Sequence, residues 1–497
     1  MKIAGLDIGT TGCKLTVFDE TGIYLDKAYC DYPVTRQMEA HEVDAAAIMR
    51  GVYSVLTEIG KKYGDIGGIG VTSFGETFVM TDAYGNPLHR SMLYTDPRGR
   101  EELKELVAAM GENGEREIAS ITGLRPHEMY SIAKIMWLKK HEPQTYREAE
   151  HLFLIADYVV FCLTGEAQID YSLASRTMAF DIHALKWSEQ ILGKAQIDIR
   201  LLSTPVPAGT AAGELKQELS VKTGLSAKTQ IVVISHDQVA AAAGAGVFNS
   251  GTAVDGAGTV ECITPVYDEI PDRDVMFEGN YAVVPYIIPG KYVCYAFSYT
   301  GGALIQWCIE TMAKKEKELA AEEGISVHEY LERQSESPTG LLVLPHFAGA
   351  ATPYMDTGSK GAILGLTAGH GVGTIYRACM EGVVYEMMLN MEYLKASGIR
   401  FQRLHATGGG ARSREWMQMK ADMLGIPITA LATPDAGTVG SAMLTGIAIG
   451  CFHNMEEAAA RMIEKRDSYY PRAEMHEKYK EIYQRYRNMY KAVRPLI

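Results

Sequence analysis

Residues 4–18 read AGLDIGTTGCKLTVF, and residues 253–264 read AVDGAGTVECIT. Each stretch is a short apolar run, a Gly-Thr turn and a second apolar run, and each opens one half of the chain. Such runs bounded by glycine predict a β-hairpin in both places. A unit used twice suggests two similar domains, 1–250 and 251–497, although two unrelated hairpins would give the same pattern. Outward from the first copy, the pattern predicts strands at 3–8, 14–18 and 23–30, then a helix over 43–63. In that helix Ile48, Val52, Val55, Leu56 and Ile59 share one face. Strands near 68–74 and 78–81, helices near 98–110, 130–141 and 152–163, and a strand at 230–234 follow. Outward from the second copy, strands are expected at 252–257 and 260–264. Helices are expected near 302–323, 325–334, 371–396, 413–424 and 437–449, with charged helical sequence at 455–466 and 473–493. Alternating strands and helices in both halves give an α/β fold class.

The bulk composition narrows the function. With 497 residues, 47% of them hydrophobic, the chain can build several packed cores. A formal net charge of -13 makes nucleic acid or an anionic membrane a poor partner. Local phosphate binding through backbone N–H groups stays open. The 8 cysteines include no CxxC pair, which fits reduced thiols and a cytoplasmic location better than a disulfide framework or a zinc site. MKIAGLDIG enters a strand at once, with no signal-peptide core, and no run approaches the ~20 apolar residues of a membrane span.

Five segments carry chemistry. In DIGTTGCK (7–14) a small-residue turn exposes backbone N–H groups that can cradle phosphate. Asp7 could hold Mg²⁺, in part through water, and Lys14 could meet a phosphate as a point charge. The same residues also make an ordinary hairpin. GAGTV (256–260) is the counterpart in the second half. TGGGAR (407–412) places three glycines in a row, which suits close approach of backbone to a ligand, or a flexible loop. Ser413 would cap the helix that follows. In IVVISHDQVAAAAGAG (231–246) an apolar strand ends at His236-Asp237-Gln238. Asp237 there is either a cap for a helix beginning at Gln238 or a base aimed from a strand end. SFGETF (73–78) and YTDPR (94–98) offer Glu76, Tyr94, Asp96 and Arg98 to a polyhydroxylated ligand, although Arg98 could simply pair with Asp96. No GxxxxGK[ST] loop occurs.

Together and in this order, these segments resemble the FGGY carbohydrate kinases of the actin-like, hexokinase-like ATPase superfamily. GLDIGTTGCKLTVFD resembles the family's first phosphate loop. SHDQVAAAAGAGVFNSGTAVDGAGTV resembles the stretch with the catalytic Asp and the second loop. LLVLPHFAGAATPYMDTGSKGAILGLT (341–367) is similar to the family's C-terminal signature. ATGGGARSREWMQMKADMLGIPI with DAGTVGSAML resembles its adenosine-binding segment. The resemblance implies two ribonuclease-H-like domains with a cleft between them, and transfer of the γ-phosphoryl of ATP, with Mg²⁺, to a sugar hydroxyl. It implies Asp237 as base and Asp7 beside the metal. Thr10, Thr11 and Lys14 would face the phosphates with Gly258 and Thr259, and Gly408, Gly409 and Gly410 would bound the adenosine. Glu76, Tyr94, Asp96, His236, Asp237 and Gln238 become the candidate sugar contacts.

One departure lies in the second phosphate loop, and the others concern the acceptor. Val260 stands where the family often has Ser. Phe74-Gly75-Glu76-Thr77 stands where xylulose kinases show Gln-Met-His-Gly and glycerol kinases keep Arg-Glu-Thr. His236-Asp237 is similar to deoxyketose kinases, and Asp237-Gln238 to glycerol kinase. The substrate is therefore expected to be a pentulose or deoxyhexulose, with a polyol as the alternative. A sugar-sensing protein that lost catalysis and an ATPase with no sugar substrate are readings from other classes. A homodimer is expected by analogy alone.

Overall fold

The computed structural model describes residues 1–37, 40–432 and 435–496. The chain forms two compact units. One comprises Met1–Phe248, Ala282–Val293 and Asp435–Ile463; the other comprises Asn249–Tyr281, Cys294–Pro434 and Glu464–Ile497. The first division lies beside residue 250, and two later segments return to the first unit.

The first unit is built on six strands: β1 (Lys2–Ile8), β2 (Gly12–Asp19), β3 (Tyr24–Asp31), β4 (Ile66–Ser73), β5 (Thr210–Glu214) and β6 (Gln230–His236). Their order across the sheet is β5-β6-β4-β1-β2-β3. β1, β4 and β6 are mutually parallel, and the other pairings are antiparallel. Parallel central strands are covered on both faces, so KIAGLDI and QIVVISH read as nearly unbroken apolar runs. Ile3, Leu6 and Ile8 are 0% exposed. Each such side chain contributes about 1.5–3 kcal/mol by leaving water.

Two packing features place the site. Asp44 accepts a hydrogen bond from the Ala46 N–H (2.9 Å) and caps the helix Ala45–Gly60, whose buried face includes the five residues read from the periodicity. On the sheet, the helices Asp237–Gly244 and Ala436–Ala448 cross at glycines. A Cβ on Gly244 would lie 1.9 Å from the Ala436 carbonyl oxygen, and one on Gly440 would lie 2.0 Å from that of Ala240. A Cβ on Gly5 of β1 would lie 2.3 Å from the Thr438 carbonyl oxygen. The alanine and glycine run after Asp237 thus serves backbone-to-backbone packing.

The second unit repeats the plan with β7 (Gly251–Ala257), β8 (Glu261–Tyr267), β9 (Ala296–Ser298), β10 (Phe401–Thr407), β11 (Ile428–Leu431) and β12 (Lys465–Tyr469). β8 and β10 flank β7, β9 adds to β8, and β11 and β12 extend the β10 side. The five core strands of the two units, β1–β4 with β6 and β7–β11, therefore share one order and one set of directions. The added edge strand differs: β5 precedes the fifth core strand in the chain, and β12 follows it.

Several expected boundaries change. The helix expected at 302–323 is two, Gly302–Met312 and Lys314–Glu323, divided at Ala313. The one expected at 152–163 begins at Ile155, because His151–Leu154 pairs as a strand with Phe78–Thr81. The charged sequence at 455–466 stops being helical at Met462, and β12 pairs with β11. Backbone pairing at a sheet edge overrides helical periodicity there. Among the described residues, no helix is long and apolar enough to cross a membrane.

Candidate active site

The first hairpin turn is closed by the Gly9 N–H donating to the Gly12 carbonyl (2.9 Å). Tyr32 braces it: its hydroxyl donates to the Gly9 carbonyl (2.5 Å), and its N–H donates to that of Thr11 (3.1 Å). A Cβ on Gly12 would lie 2.9 Å from the Cys30 carbonyl oxygen and 2.4 Å from the Tyr29 hydroxyl oxygen, so a side chain there would displace Tyr29. Thr10 is half-buried and Thr11 exposed. Behind the turn, strand register sets Asp7 of β1 against Lys14 of β2. Lys14 Nζ lies 3.0 Å from Asp7 Oδ2 and 2.7 Å from Asp435 Oδ2. Asp435 also caps Ala436–Ala448, so the helix that crosses at Gly440 delivers this carboxylate. Burial raises the Asp7 carboxyl above its ordinary range against the pull of Lys14.

Asp237 is the first residue of its helix, and His236 is the residue before it. The expected cap at Asp237 for a helix beginning at Gln238 is therefore shifted by one position. The Asp237 side chain keeps 27% exposure. Burial, then the charges of Asp7 and Glu76, push its carboxyl up to about 7, although the Gln238 N–H and Lys14 pull the other way. His236 Nε2 lies 3.3 Å from Asp237 Oδ1. Burial and the Arg176 charge hold His236 well below its ordinary value, so the imidazole is neutral. The His236 backbone N–H donates to Ser172 Oγ (2.9 Å), and Ser172 Oγ donates to Asp170 (2.6 Å). Gln238 is exposed.

The other sugar candidates gather around a buried ion pair. Arg176 donates from Nε to Glu76 Oε1 (2.6 Å) and again from Nη2. Its guanidinium lies 5.1 Å from the centre of the Tyr130 ring. Glu76 takes φ = 62°, a strained conformation for a side chain of this kind, and its carbonyl accepts from Ser131 Oγ (2.6 Å). Gly75 has a local reason: a Cβ there would lie 3.0 Å from Arg176 Cγ and 3.1 Å from His236 Cδ2. Tyr94 is 39% exposed. Burial, followed by the Glu76 charge, raises its hydroxyl above the ordinary range.

Asp96 behaves differently. Its carboxylate accepts from Arg98 Nε (2.8 Å), Arg98 Nη2 (2.7 Å) and the N–H groups of Arg98 and His41. Burial alone would raise it, but these bonds hold it below the usual carboxylate range. The pairing of Arg98 with Asp96 is thus the arrangement present. Arg176, Ser172 and Asp435 were not among the sequence candidates. Asp435 opens DAGTVGSAML, which the sequence offers only through the adenosine-binding resemblance, and nothing in ASRTMAF marks Arg176.

In the second unit, Gly258 and Thr259 lie at the hairpin turn, and their carbonyls accept from the N–H groups of Gly301, Gly302 and Ala303 (2.9–3.0 Å). Gly408, at φ = 88°, packs so closely that a Cβ would lie 2.6 Å from the Ala257 carbonyl oxygen. A Cβ on Gly410 would lie 2.8 Å from the Trp416 ring, while one on Gly409 would meet nothing within 4 Å. The structure therefore joins the Gly-Thr turn and the triple glycine into one small-residue platform. Ser413 accepts from the Trp416 N–H (3.1 Å) and caps Arg414–Leu424, as the sequence predicted.

A strand-end acid beside a glycine-threonine hairpin in one unit, and a glycine platform on a repeat of the same sheet in the other, define a phosphotransferase fold of the actin-like class. Residues 2–244 match the N-terminal domain of the FGGY family of carbohydrate kinases, and residues 257–449 match its C-terminal domain. The chain belongs to that family, and it is a phosphotransferase with an alcohol group as acceptor. It is 26% identical to a xylulose kinase of Bacillus subtilis (strain 168), over 98% of this chain and 96% of that protein. It is 30% identical to a glycerol kinase of Halorhodospira halophila, over 90% and 88%. A ligand-bound xylulose kinase from Lactobacillus acidophilus shares the fold with a TM-score of 0.89, at 22% identity over 99% and 98% of the two chains.

Proposed function

We propose that the chain transfers the γ-phosphoryl of ATP to a hydroxyl of a small ketose, with Asp237 as the general base. The observation that carries this reading is the place of Asp237, at the seam where β6 runs into the helix Asp237–Gly244, with its side chain still 27% exposed and 3.3 Å from His236 Nε2; burial and the charges of Asp7 and Glu76 push its carboxyl up to about 7. A base with that value is ionised in a large fraction near neutral pH and still accepts a proton well. The acceptor O–H passes its proton to Asp237 as its oxygen bonds to the γ-phosphorus. The bond from that phosphorus to the β,γ-bridging oxygen breaks, and ADP leaves. Thr10, Thr11 and Lys14 are proposed to meet the phosphates, and Gly258, Thr259 and Gly408–Gly410 to hold the nucleotide. Glu76, Tyr94, His236 and Gln238 are proposed to meet the sugar. Asp96 is proposed to act through Arg98, because its carboxylate is already bonded.

Mg²⁺ fits the carboxylates present. It takes one or two carboxylates with water and substrate phosphate, and Asp7 and Asp435 both reach Lys14 at the turn. Bound there, it would offset charge on the transferred group. Relatives named xylulose kinase support the ketose. The glycerol kinase relative and the Glu76-Thr77 pair support a polyol as the second reading.

Asp237→Asn tests the assignment. The variant should keep its fold and ATP affinity and lose about 10²–10⁴ in kcat. A kcat near that of the wild type would refute the role of Asp237.

A further inference from the structure

Lys420 stands in the middle of Arg414–Leu424 with 0% of its side chain exposed. Its Nζ lies 2.7 Å from Asp255 Oδ2 and 2.5 Å from Glu261 Oε1, and those side chains are 0% and 2% exposed. One lysine cannot neutralise two sealed carboxylates, and an uncompensated buried charge is strongly disfavoured. The remaining oxygens, Asp255 Oδ1 and Glu261 Oε2, meet no other donor among the described residues. A proton held by Glu261 and donated to Asp255 satisfies both oxygens and leaves the cluster neutral. Burial and the Asp255 charge raise the Glu261 carboxyl in that direction.

The cluster grips both ends of one loop. Asp255 lies near the end of β7 and Glu261 opens β8, with Gly258 and Thr259 between them. The second loop is linked indirectly: Trp416, one turn earlier on the same helix, lies against Gly410, and Lys420 Nζ sits 4.8 Å from the centre of its ring. We propose that Lys420 is a positioning residue, which fixes the Gly258–Thr259 turn and the Gly408–Gly410 loop in the mutual geometry that holds the nucleotide. This rests on the nucleotide role proposed for those loops.

The test uses the full chain, with ATP affinity measured by calorimetry and KM measured separately for ATP and sugar. Removing Lys420 alone strands buried carboxylates and threatens folding, so the decisive variant is K420M/D255N/E261Q, which removes every charge together. It should fold, weaken ATP binding by about 10²-fold, the scale of a misplaced binding group, and leave the sugar KM unchanged. Glu261→Gln, which keeps a donor where the acid proton lies, should retain wild-type ATP affinity. A folded triple variant with wild-type ATP affinity would overturn the proposal. So would amide exchange in the wild type showing that ATP protects one loop without the other. Wild-type ATP binding without turnover on any acceptor would sink the kinase reading and leave this one standing; no ATP binding at all would end both.

Discussion

Each unit sets one lysine between two carboxylates at its first hairpin. In the first unit the trio is Asp7, Lys14 and Asp435, with side chains 11%, 29% and 16% exposed. In the second it is Asp255, Lys420 and Glu261, with at most 2% exposed. Asp7 and Asp255 occupy matching strands of a repeated sheet, but the lysine comes from the hairpin in one case and from a helix in the other. That difference in water access suits the two trios to the two roles proposed for them. A partly open trio can exchange its partners for phosphate and metal; a sealed one can only hold backbone in place.

Lysine removal separates these roles most strongly. Lys420→Met should cost about 3–5 kcal/mol of folding stability, as expected when one partner of a buried pair is lost. Lys14→Met should cost less, about 1–3 kcal/mol, because Asp7 and Asp435 keep some access to water, while turnover falls. Denaturant titration beside steady-state kinetics would show the contrast, and equal stability losses would abolish it. Next in size is the packing that carries Asp435. Gly440→Ala drives a methyl group toward the Ala240 carbonyl oxygen and should cost about 1–3 kcal/mol. Its ATP KM should rise as Asp435 moves; a destabilised variant with unchanged ATP KM would detach Asp435 from the site.

The Asp237 carboxyl titrates near 7 in the folded chain, against an ordinary value of 3.8. A raised acid binds its proton more tightly when folded, so its contribution favours folding at low pH and is lost as pH climbs from 3.8 toward 7. Asp237→Asn should therefore melt higher than the wild type at pH 8, and the gap should close toward pH 4. Wild-type kcat/KM should rise with pH through about 7 as the base ionises. A flat profile across that range, or a gap that widens on acidification, would contradict the assigned environment. The smallest effect is expected for Glu261→Gln, whose melting temperature should stay close to the wild type because that group is already neutral. A large loss would show that Glu261 is ionised.

Much of this was legible in the sequence because it depends on local pattern. The duplicated hairpin, the buried face of Ala45–Gly60 and the Asp237 seam are all written in residue spacing. The partners that complete the site are not. Arg176 reaches Glu76 across 100 residues of sequence, and Lys420 reaches Asp255 across 165. Neither pairing leaves a periodic or spacing signal. The DIGTTGCK motif points Lys14 toward phosphate; its carboxylate partners emerge only when β1, β2 and the distant helix Ala436–Ala448 pack together. β12 was missed for a related reason, since a charged edge strand gains its structure from a neighbour and not from its own composition. Gly75 looked like a lost side chain in the sequence, and the structure fills its place with Arg176 and His236.

Sugar-dependent phosphotransfer would show itself as ADP release by the full chain. ATP and Mg²⁺ would be supplied with a panel of ketopentoses, deoxyketohexoses and small polyols, and with no acceptor. ADP formation should depend strongly on the acceptor and be greatest with one or a few ketoses. Hydrolysis that proceeds equally without any acceptor, or no turnover with the whole panel, would contradict the account.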